Sequence, residues 1–373
     1  MESKAFLDAL HDAGVKFFTG VPDSYLHGFC SELAQKCEAN NNVIAANEGN
    51  AVAIATGHYL ATGQTSLVYL QNSGLGNAVN PLASLACEGM LGIPMILLVG
   101  WRGDPWHIDH VQHALQGRIT PSMLGELGIP YQVLGDGDPI GYVNWAVGEA
   151  VRRSAPVALL SPKGVLSGVK TPSVDNRYPL SREEAIEAVL DAAPPKAIFS
   201  ATTGRASREL FHLRDARGEG HDCDYLNVGS MGHASSVALG MALAEPERTF
   251  ICLDGDSAAI MHLGALTMAS KLEVPNFLHI VLNNGSHESV GGQPSAGWRT
   301  DLTGVAASCG YETVGRSVSD IDGIASSVRS LLAAPRAGFL DVRIHSGIRP
   351  DLPPLEVEPK RMRDALRSEL TVR

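Results

Sequence analysis

The sequence predicts an α/β protein made of two doubly wound parallel-sheet domains, and three observations predict it. Short runs of aliphatic and β-branched residues alternate with stretches of helical periodicity, the alternation occurs twice, and a segment rich in Pro and Gly separates the two series. The runs are almost unbroken in their apolar character, as expected of parallel strands covered by helices on both faces.

In the first series the predicted strands are Val43–Ala46, Ser66–Leu70, Met95–Gly100, Tyr131–Leu134 and Val157–Leu160, with helices over Glu2–Ala13, Ser24–Cys37, Glu48–Ala61, Ile119–Leu127 and Ile140–Arg153. In the second the strands are Ala197–Ser200, Tyr225–Val228, Thr249–Leu253, Leu278–Leu282 and Phe339–Ile344, with helices near Ser181–Ala192, Ser235–Ala244, His262–Lys271 and Ser319–Ala333. Between Ser161 and Pro179 lie Pro162, Pro172, Pro179, Gly164 and Gly168, which break both periodicities. The expected organisation is a first domain over 1–165, a linker over 166–180 and a second domain over 181–373.

Composition narrows the function classes. The chain has 373 residues, 45 % hydrophobic and 18 % charged, enough for two buried cores and too little charge for extensive disorder. Its 29 Lys and Arg against 40 Asp and Glu give a net charge of −11, which disfavours nucleic acid and anionic membrane as partners. The longest strongly apolar stretch, Ile93 to Trp101, is far below the ~20 residues of a membrane-spanning helix, and the opening residues lack a basic segment followed by an apolar one. A cytoplasmic location is expected. The six cysteines are scattered without a C-x-x-C spacing and read as reduced core thiols.

Ligands of open parallel sheets bind at the carboxyl ends of strands, so the loops that leave those ends carry the chemistry. Five such loops collect small and polar residues: Gln71–Asn77, Trp101–Asp104, Gly229–His233, Asp254–Ser257 and Asn283–His287. Gly229 and Gly232 allow backbone N–H groups to approach an anion at the N-terminus of the Ser235 helix, where the helix dipole also favours negative charge. Asp256 and Asn284 offer hard oxygen ligands suited to an octahedral Mg²⁺ that shares phosphate oxygens. Taken singly, each has a plain structural reading as a tight turn or a helix cap; together they describe a magnesium-diphosphate site. Neither G-x-G-x-x-G after a first strand nor G-x-x-x-x-G-K-[ST] occurs, which counts against dinucleotide and P-loop sites.

Asp256 precedes the pair Asn283-Asn284 by 27 and 28 positions, and this spacing resembles the signature of the thiamine-diphosphate enzymes. Asn47-Glu48-Gly49 resembles the glutamate segment of their pyrimidine domain. Further matches run through Phe17–Ser24, Gln71–Asn77, Gly100–Gly103, Gly229–Ser235 and Gly291–Pro294, and over nearly the whole chain resemble the phosphonopyruvate decarboxylase branch, which has only pyrimidine and diphosphate domains.

The resemblance implies the thiamine-diphosphate-binding fold, with thiamine diphosphate and Mg²⁺ as cofactors and a small anionic 2-oxo acid as substrate. It implies at least a homodimer, with active sites at the subunit interface. Glu48 would hydrogen-bond N1′ of the aminopyrimidine and promote the tautomer that removes the thiazolium C2 proton. Asp256, Asn284 and the Ser286 carbonyl would hold the metal. Gly229, Ser230, Gly232, Gly255, Ser257 and His287 would shape the cofactor site, and Met231 would be the apolar wedge beneath it. For the substrate's acidic groups the donors at predicted strand ends are Ser24, Asn72, Arg102, Gln112, His113 and His287, with Asp23 beside them; Asp23 and Ser24 can equally be a helix cap.

Two departures from the family pattern stand out. Ser257 replaces the third residue of a Gly-Asp-Gly signature, an exchange expected to cost the loop backbone freedom. The segment Trp106–Val111 differs from the family's Gly/Lys/Asp/Glu-Pro stretch, while Gln112 and His113 match. An altered lining there could shift the preferred oxo acid toward sulfopyruvate or another acidic 2-oxo acid, or toward carboligation. The spacing of His107, His110 and His113 also admits a metal site if the segment is helical.

Overall fold

The computed structural model describes residues 1–168 and 177–371, the side chain of Ser270 apart. It divides into two compact units, Met1–Pro172 with Val290–Gln293, and Ser173–Ser289 with Pro294–Arg373. Most of the expected linker, 169–176, lies outside the described residues.

In the first unit the elements are α1 (Ser3–Asp12), β1 (Phe18–Gly20), α2 (His27–Lys36), β2 (Asn42–Ile44), α3 (Glu48–Thr62), β3 (Ser66–Gln71), α4 (Leu75–Pro81), β4 (Met95–Gly100), α5 (Val111–Glu126), β5 (Tyr131–Val133), α6 (Pro139–Arg153) and β6 (Pro156–Ser161). They form a parallel six-stranded sheet in the order β2-β1-β3-β4-β6-β5. Every residue of the central strands β4 and β6 is buried, which explains their continuous apolar sequences. Each fully buried Leu, Ile or Val there contributes roughly 1.5–3 kcal/mol.

The second unit runs α7 (Arg182–Ala192), β7 (Ile198–Ala201), α8 (Arg205–Ala216), β8 (Asp224–Leu226), α9 (Ala234–Ala244), β9 (Phe250–Gly255), α10 (Asp256–Met261), α11 (Leu266–Leu272) and β10 (Phe277–Asn283). Two-residue strands β11 (Ser286–His287) and β12 (Gln293–Pro294) lie outside both large sheets. Then come α12 (Leu302–Ser308), β13 (Glu312–Thr313), α13 (Ile321–Leu332), β14 (Gly338–Arg343) and α14 (Pro359–Thr371). The second sheet is parallel and six-stranded, in the order β13-β14-β10-β9-β7-β8. The predicted α/β architecture with two parallel sheets is therefore the observed one. Helix α7 opens with a capping box, in which Ser181 and Glu184 satisfy each other's backbone N–H groups.

In each sheet the strand order switches direction in the interior, between β1 and β3 in the first and between β7 and β9 in the second, and doubles back again at one edge, where β5 lies outside β6 and β13 outside β14. Such switch points open a crevice at the carboxyl ends of the flanking strands. The loops after β3, β4, β8, β9 and β10 hold the polar clusters noted in the sequence.

Several elements differ from expectation. Strand β1 falls in a segment read only as a motif, because three residues ending in Thr19-Gly20 carry no strand signature. Helix α5 begins at Val111, eight residues before the predicted start, because Gly117 and Pro121 obscure its periodicity. Gly117 is needed there: a Cβ would lie 1.9 Å from the Gly103 carbonyl oxygen. Helices α4, α8, α10, α12 and α14 were not expected. Among the described residues no helix is long and apolar enough to cross a membrane.

Candidate active site

In the first unit, Glu48 is the first residue of α3, preceded by Asn47, whose side chain accepts from the Asn50 N–H and caps the helix. Burial turns the Glu48 carboxylate inward, where Asn77 Nδ2 donates to Oε2 at 2.7 Å. Its Oε1 faces Gly74, at which a Cβ would come within 2.1 Å. The glycine in Asn72-Ser73-Gly74 is thus fixed by the glutamate it accommodates.

The loops after β1 and β4 form a second cluster. Arg102, just beyond the end of β4, donates from Nε to Asp109 Oδ2 at 2.7 Å and from Nη2 to Oδ1 at 2.5 Å, a bidentate fork. Its Nη1 donates to Ser24 Oγ at 3.0 Å, and its guanidinium lies 4.6 Å from the centre of the Tyr25 ring. The backbone of Arg102 is clamped by Asn72, which accepts from its N–H at 3.1 Å and donates to its carbonyl at 2.9 Å. Asn72 is completely buried and also donates to Thr120 Oγ1, so it positions Arg102. Burial works to raise the pKa of Asp109, but Arg102 and the N–H groups of His110 and Gly103 outweigh it and hold the carboxyl well below the usual range.

Asp23 is buried to 0 % exposure. Its Oδ2 accepts from the Tyr25 N–H, its Oδ1 has no hydrogen-bond partner among the described residues, and burial pushes its pKa up to about 6. Gln112 and His113 lie in the first turn of α5, both half-buried. Burial, aided by the charge of Arg102, pushes His113 down to about 4. The three-histidine face does not form: His107 and His110 precede α5, and His107 Nδ1 lies 2.8 Å from Asp104 instead. Among the described residues the one group with metal-ligand geometry is Cys252, Asp254 and His279, buried within the second sheet.

In the second unit, Gly229, Ser230, Met231 and Gly232 form the loop into α9. Ser230 and Gly232 have φ of 49° and 83°, and the N-cap residue His233 makes no side-chain cap. A left-handed turn thus presents uncapped helix N–H groups, a cradle suited to an anion. Gly232 cannot carry a side chain, since a Cβ would lie 2.6 Å from His262 Cδ2. Met231 is half-buried beside it.

Asp256 follows β9 directly as the first residue of α10, and is 2 % exposed. Burial pushes its pKa up to about 7, against the opposing pull of the Ser295 hydroxyl, which donates to Oδ2. Gly297 packs so closely that a Cβ would meet this oxygen at 2.3 Å. Ser257 lies within α10 and has no positive φ, so serine costs nothing where the signature has glycine.

Asn284 follows the end of β10. Its Oδ1 accepts from the Ser286 N–H at 3.1 Å, while its Nδ2 donates to Glu288 Oε2 at 3.1 Å. Glu288 also meets Arg182 at 2.8 Å and Arg205 at 2.7 Å, and Arg182 pairs with buried Glu209 at 2.7 Å. Because Glu288 can only accept, the Asn284 amide is held with its NH₂ toward Glu288 and its oxygen on the other side. Burial pushes His287 down to about 4.

The donor set fits a hard divalent cation with a diphosphate. A carboxylate and a carboxamide oxygen stand after neighbouring strands β9 and β10, and the hydroxyls of Thr202, Ser257 and Ser286 are buried without partners among the described residues. The sequence reading missed Asn77, Asp109, Thr202, Glu288 and Ser295. Of these, Thr202 was signalled by its place after a strand.

Comparison with known proteins gives two family matches: "Thiamine pyrophosphate enzyme, N-terminal TPP binding domain" over residues 3–122, and "Thiamine pyrophosphate enzyme, C-terminal TPP binding domain" over residues 202–342. The chain is 33 % identical to a phosphonopyruvate decarboxylase of Streptomyces hygroscopicus, over 94 % of this chain and 90 % of that protein. It is 32 % identical to a phosphonopyruvate decarboxylase of Streptomyces viridochromogenes, over 92 % and 90 % respectively. A sulfopyruvate decarboxylase of Methanosarcina acetivorans is 28 % identical over 87 % of each chain.

Proposed function

The chain belongs to the thiamine-diphosphate-dependent 2-oxo acid decarboxylases, and from that premise we propose that it converts 3-phosphonopyruvate to phosphonoacetaldehyde and CO₂ in phosphonate biosynthesis. The observation that carries the substrate assignment is the match to a phosphonopyruvate decarboxylase along 94 % of this chain.

In this reading Mg²⁺ is held by Asp256, Asn284 and the Ser286 carbonyl, and the diphosphate by the Gly229–Gly232 turn with Gly255, Ser257 and His287 nearby. When bound, thiamine diphosphate supplies the electron sink that takes up the electrons of the departing carboxylate. The protein supplies binding, orientation and proton control. Buried Glu48, held in place by Asn77, would hydrogen-bond the aminopyrimidine N1′ and govern its protonation. Glu288, which takes the Asn284 NH₂, would leave the Asn284 oxygen free to face the metal. Arg102 and Ser24 receive the acidic tail of the substrate, positioned by Asn72, with Asp23, Gln112 and His113 around them. The enzyme acts as a cytoplasmic homo-oligomer of at least two chains, with active sites at the subunit interface.

The similarity to a sulfopyruvate decarboxylase supports a second reading, in which the tail is a sulfonate. Product analysis decides between them. The protein is incubated with thiamine diphosphate, Mg²⁺ and, in turn, phosphonopyruvate, sulfopyruvate and pyruvate, and the aldehydes are identified by mass spectrometry. Preferential release of phosphonoacetaldehyde is the expected result; preference for sulfopyruvate selects the second reading, and a hydroxyketone product would mean carboligation.

A further inference from the structure

Asp109 is the residue of the altered Trp106–Val111 segment that turns inward, and its carboxylate is saturated with donors. Arg102 supplies two at 2.7 and 2.5 Å, the Tyr25 hydroxyl one at 3.0 Å, and the backbone N–H groups of Gly103 and His110 one each at 3.0 and 2.8 Å. A carboxylate has about four lone-pair positions, so this set leaves it nothing further to accept. Its neighbours are unlike it: Trp106 is 63 % and Ile108 96 % exposed. The start of the segment is held separately by buried Asp104, which accepts from the Trp106 N–H and pairs with His107.

The donors around Asp109 come from the loops after β1 and β4, at the crevice where a ligand of this sheet is expected. We propose that Asp109 is an internal anion that occupies the receptor for the substrate's second acidic group, and that this group displaces it. The proposal rests on the reading of an acidic 2-oxo acid as substrate. After displacement the guanidinium fork of Arg102, the Gly103 N–H, the Tyr25 hydroxyl and the Ser24 hydroxyl remain to grip a tetrahedral anion, while the His110 N–H leaves with the segment. A tail without charge cannot exchange for Asp109, because it would leave the half-buried fork unpaired. The exchange therefore selects oxo acids with a second anionic group.

The test titrates methylphosphonate into the full chain with thiamine diphosphate and Mg²⁺ present, using calorimetry and tryptophan emission. Trp106 rides on the segment and meets Trp101 edge-on at 5.6 Å, so displacement changes its emission. Wild type should bind with an emission change, and Asp109→Asn and Asp109→Ala should bind about tenfold tighter, as when a competing closed state is removed. Arg102→Met should lose binding. The KM for phosphonopyruvate should fall in Asp109→Asn while that for pyruvate stays unchanged. Unaltered emission in wild type at saturating methylphosphonate, or binding in both Asp109 variants no tighter than wild type, would overturn the proposal and leave Asp109 as a pin for its segment. If methylphosphonate binds as expected yet no oxo acid is decarboxylated, the functional reading fails and the receptor stands.

Discussion

The two units each bring an aspartate to the end of a buried strand, and the protein treats the two oppositely. Asp109, from the loop after β4, is matched by the cation of Arg102 and ionises far below the ordinary range. Asp256, just after β9, is buried more deeply with a serine hydroxyl and backbone amides for partners, and its pKa is pushed up to about 7. A charged group taken from water is tolerated when its counter-charge is built in, and otherwise the environment favours its neutral form. In the first unit the counter-charge is covalently part of the chain, which suits recognition of an anion by exchange. In the second it must come from outside, which suits a metal ligand.

Substitutions can break this contrast. The largest effect is expected for Asp256→Ala, which should weaken Mg²⁺-dependent binding of thiamine diphosphate by more than about 100-fold, beyond what loss of an outer-shell partner costs. Calorimetry with the cofactor measures it, and Arg102→Met should leave it unchanged. Arg102→Met should instead raise the KM for phosphonopyruvate about 30-fold, the equivalent of a charge-assisted hydrogen bond of about 2 kcal/mol. Glu288→Gln removes the group that orients Asn284 and should weaken Mg²⁺ binding about tenfold, read from the Mg²⁺ dependence of cofactor binding.

The smallest effect concerns a third aspartate. Asp23 makes no ion-pair contact among the described residues, and its pKa is pushed up to about 6 from 3.8 by burial. The folded state therefore holds its proton where the unfolded state has released it. The stability this confers is fully present below the unfolded value and is lost as pH rises through the folded value, so stability falls between pH 4 and 7. From pH 5 to 7 the loss is about 1 kcal/mol, and Asp23→Asn should abolish that component in urea titrations across this range.

How far the sequence could be read depended on whether an element's signal was local. Strands β3, β4, β6, β9 and β10 were legible because burial on both faces demands uninterrupted apolar residues. Edge strand β2 is only half-buried, and its boundaries shifted. Helix α8, with three Arg, one Glu and one Asp in twelve residues, and the charged α14 hide their short apolar stripes. Asp256 and Asn284 stood out because strand ends rarely combine such donors with adjacent glycines, whereas Glu48 was singled out only by the resemblance of Asn47-Glu48-Gly49 to the glutamate segment of the family's pyrimidine domain. The pairing of Arg102 with Asp109 and Tyr25, and of Glu288 with Asn284, Arg182 and Arg205, was not legible. Ion pairs and hydrogen bonds leave no periodicity, and Glu288 lies 106 residues from Arg182.

In the proposed reaction buried Glu48 controls protonation of a bound thiamine cofactor during decarboxylation of an acidic 2-oxo acid. The most direct test of this role is the rate of CO₂ release from phosphonopyruvate by wild type and Glu48→Gln, both saturated with thiamine diphosphate and Mg²⁺. The expected rate is at least about 100-fold lower in the variant, the usual weight of a positioned acid-base group, with cofactor binding retained. Undiminished CO₂ release by a cofactor-loaded Glu48→Gln protein would contradict it.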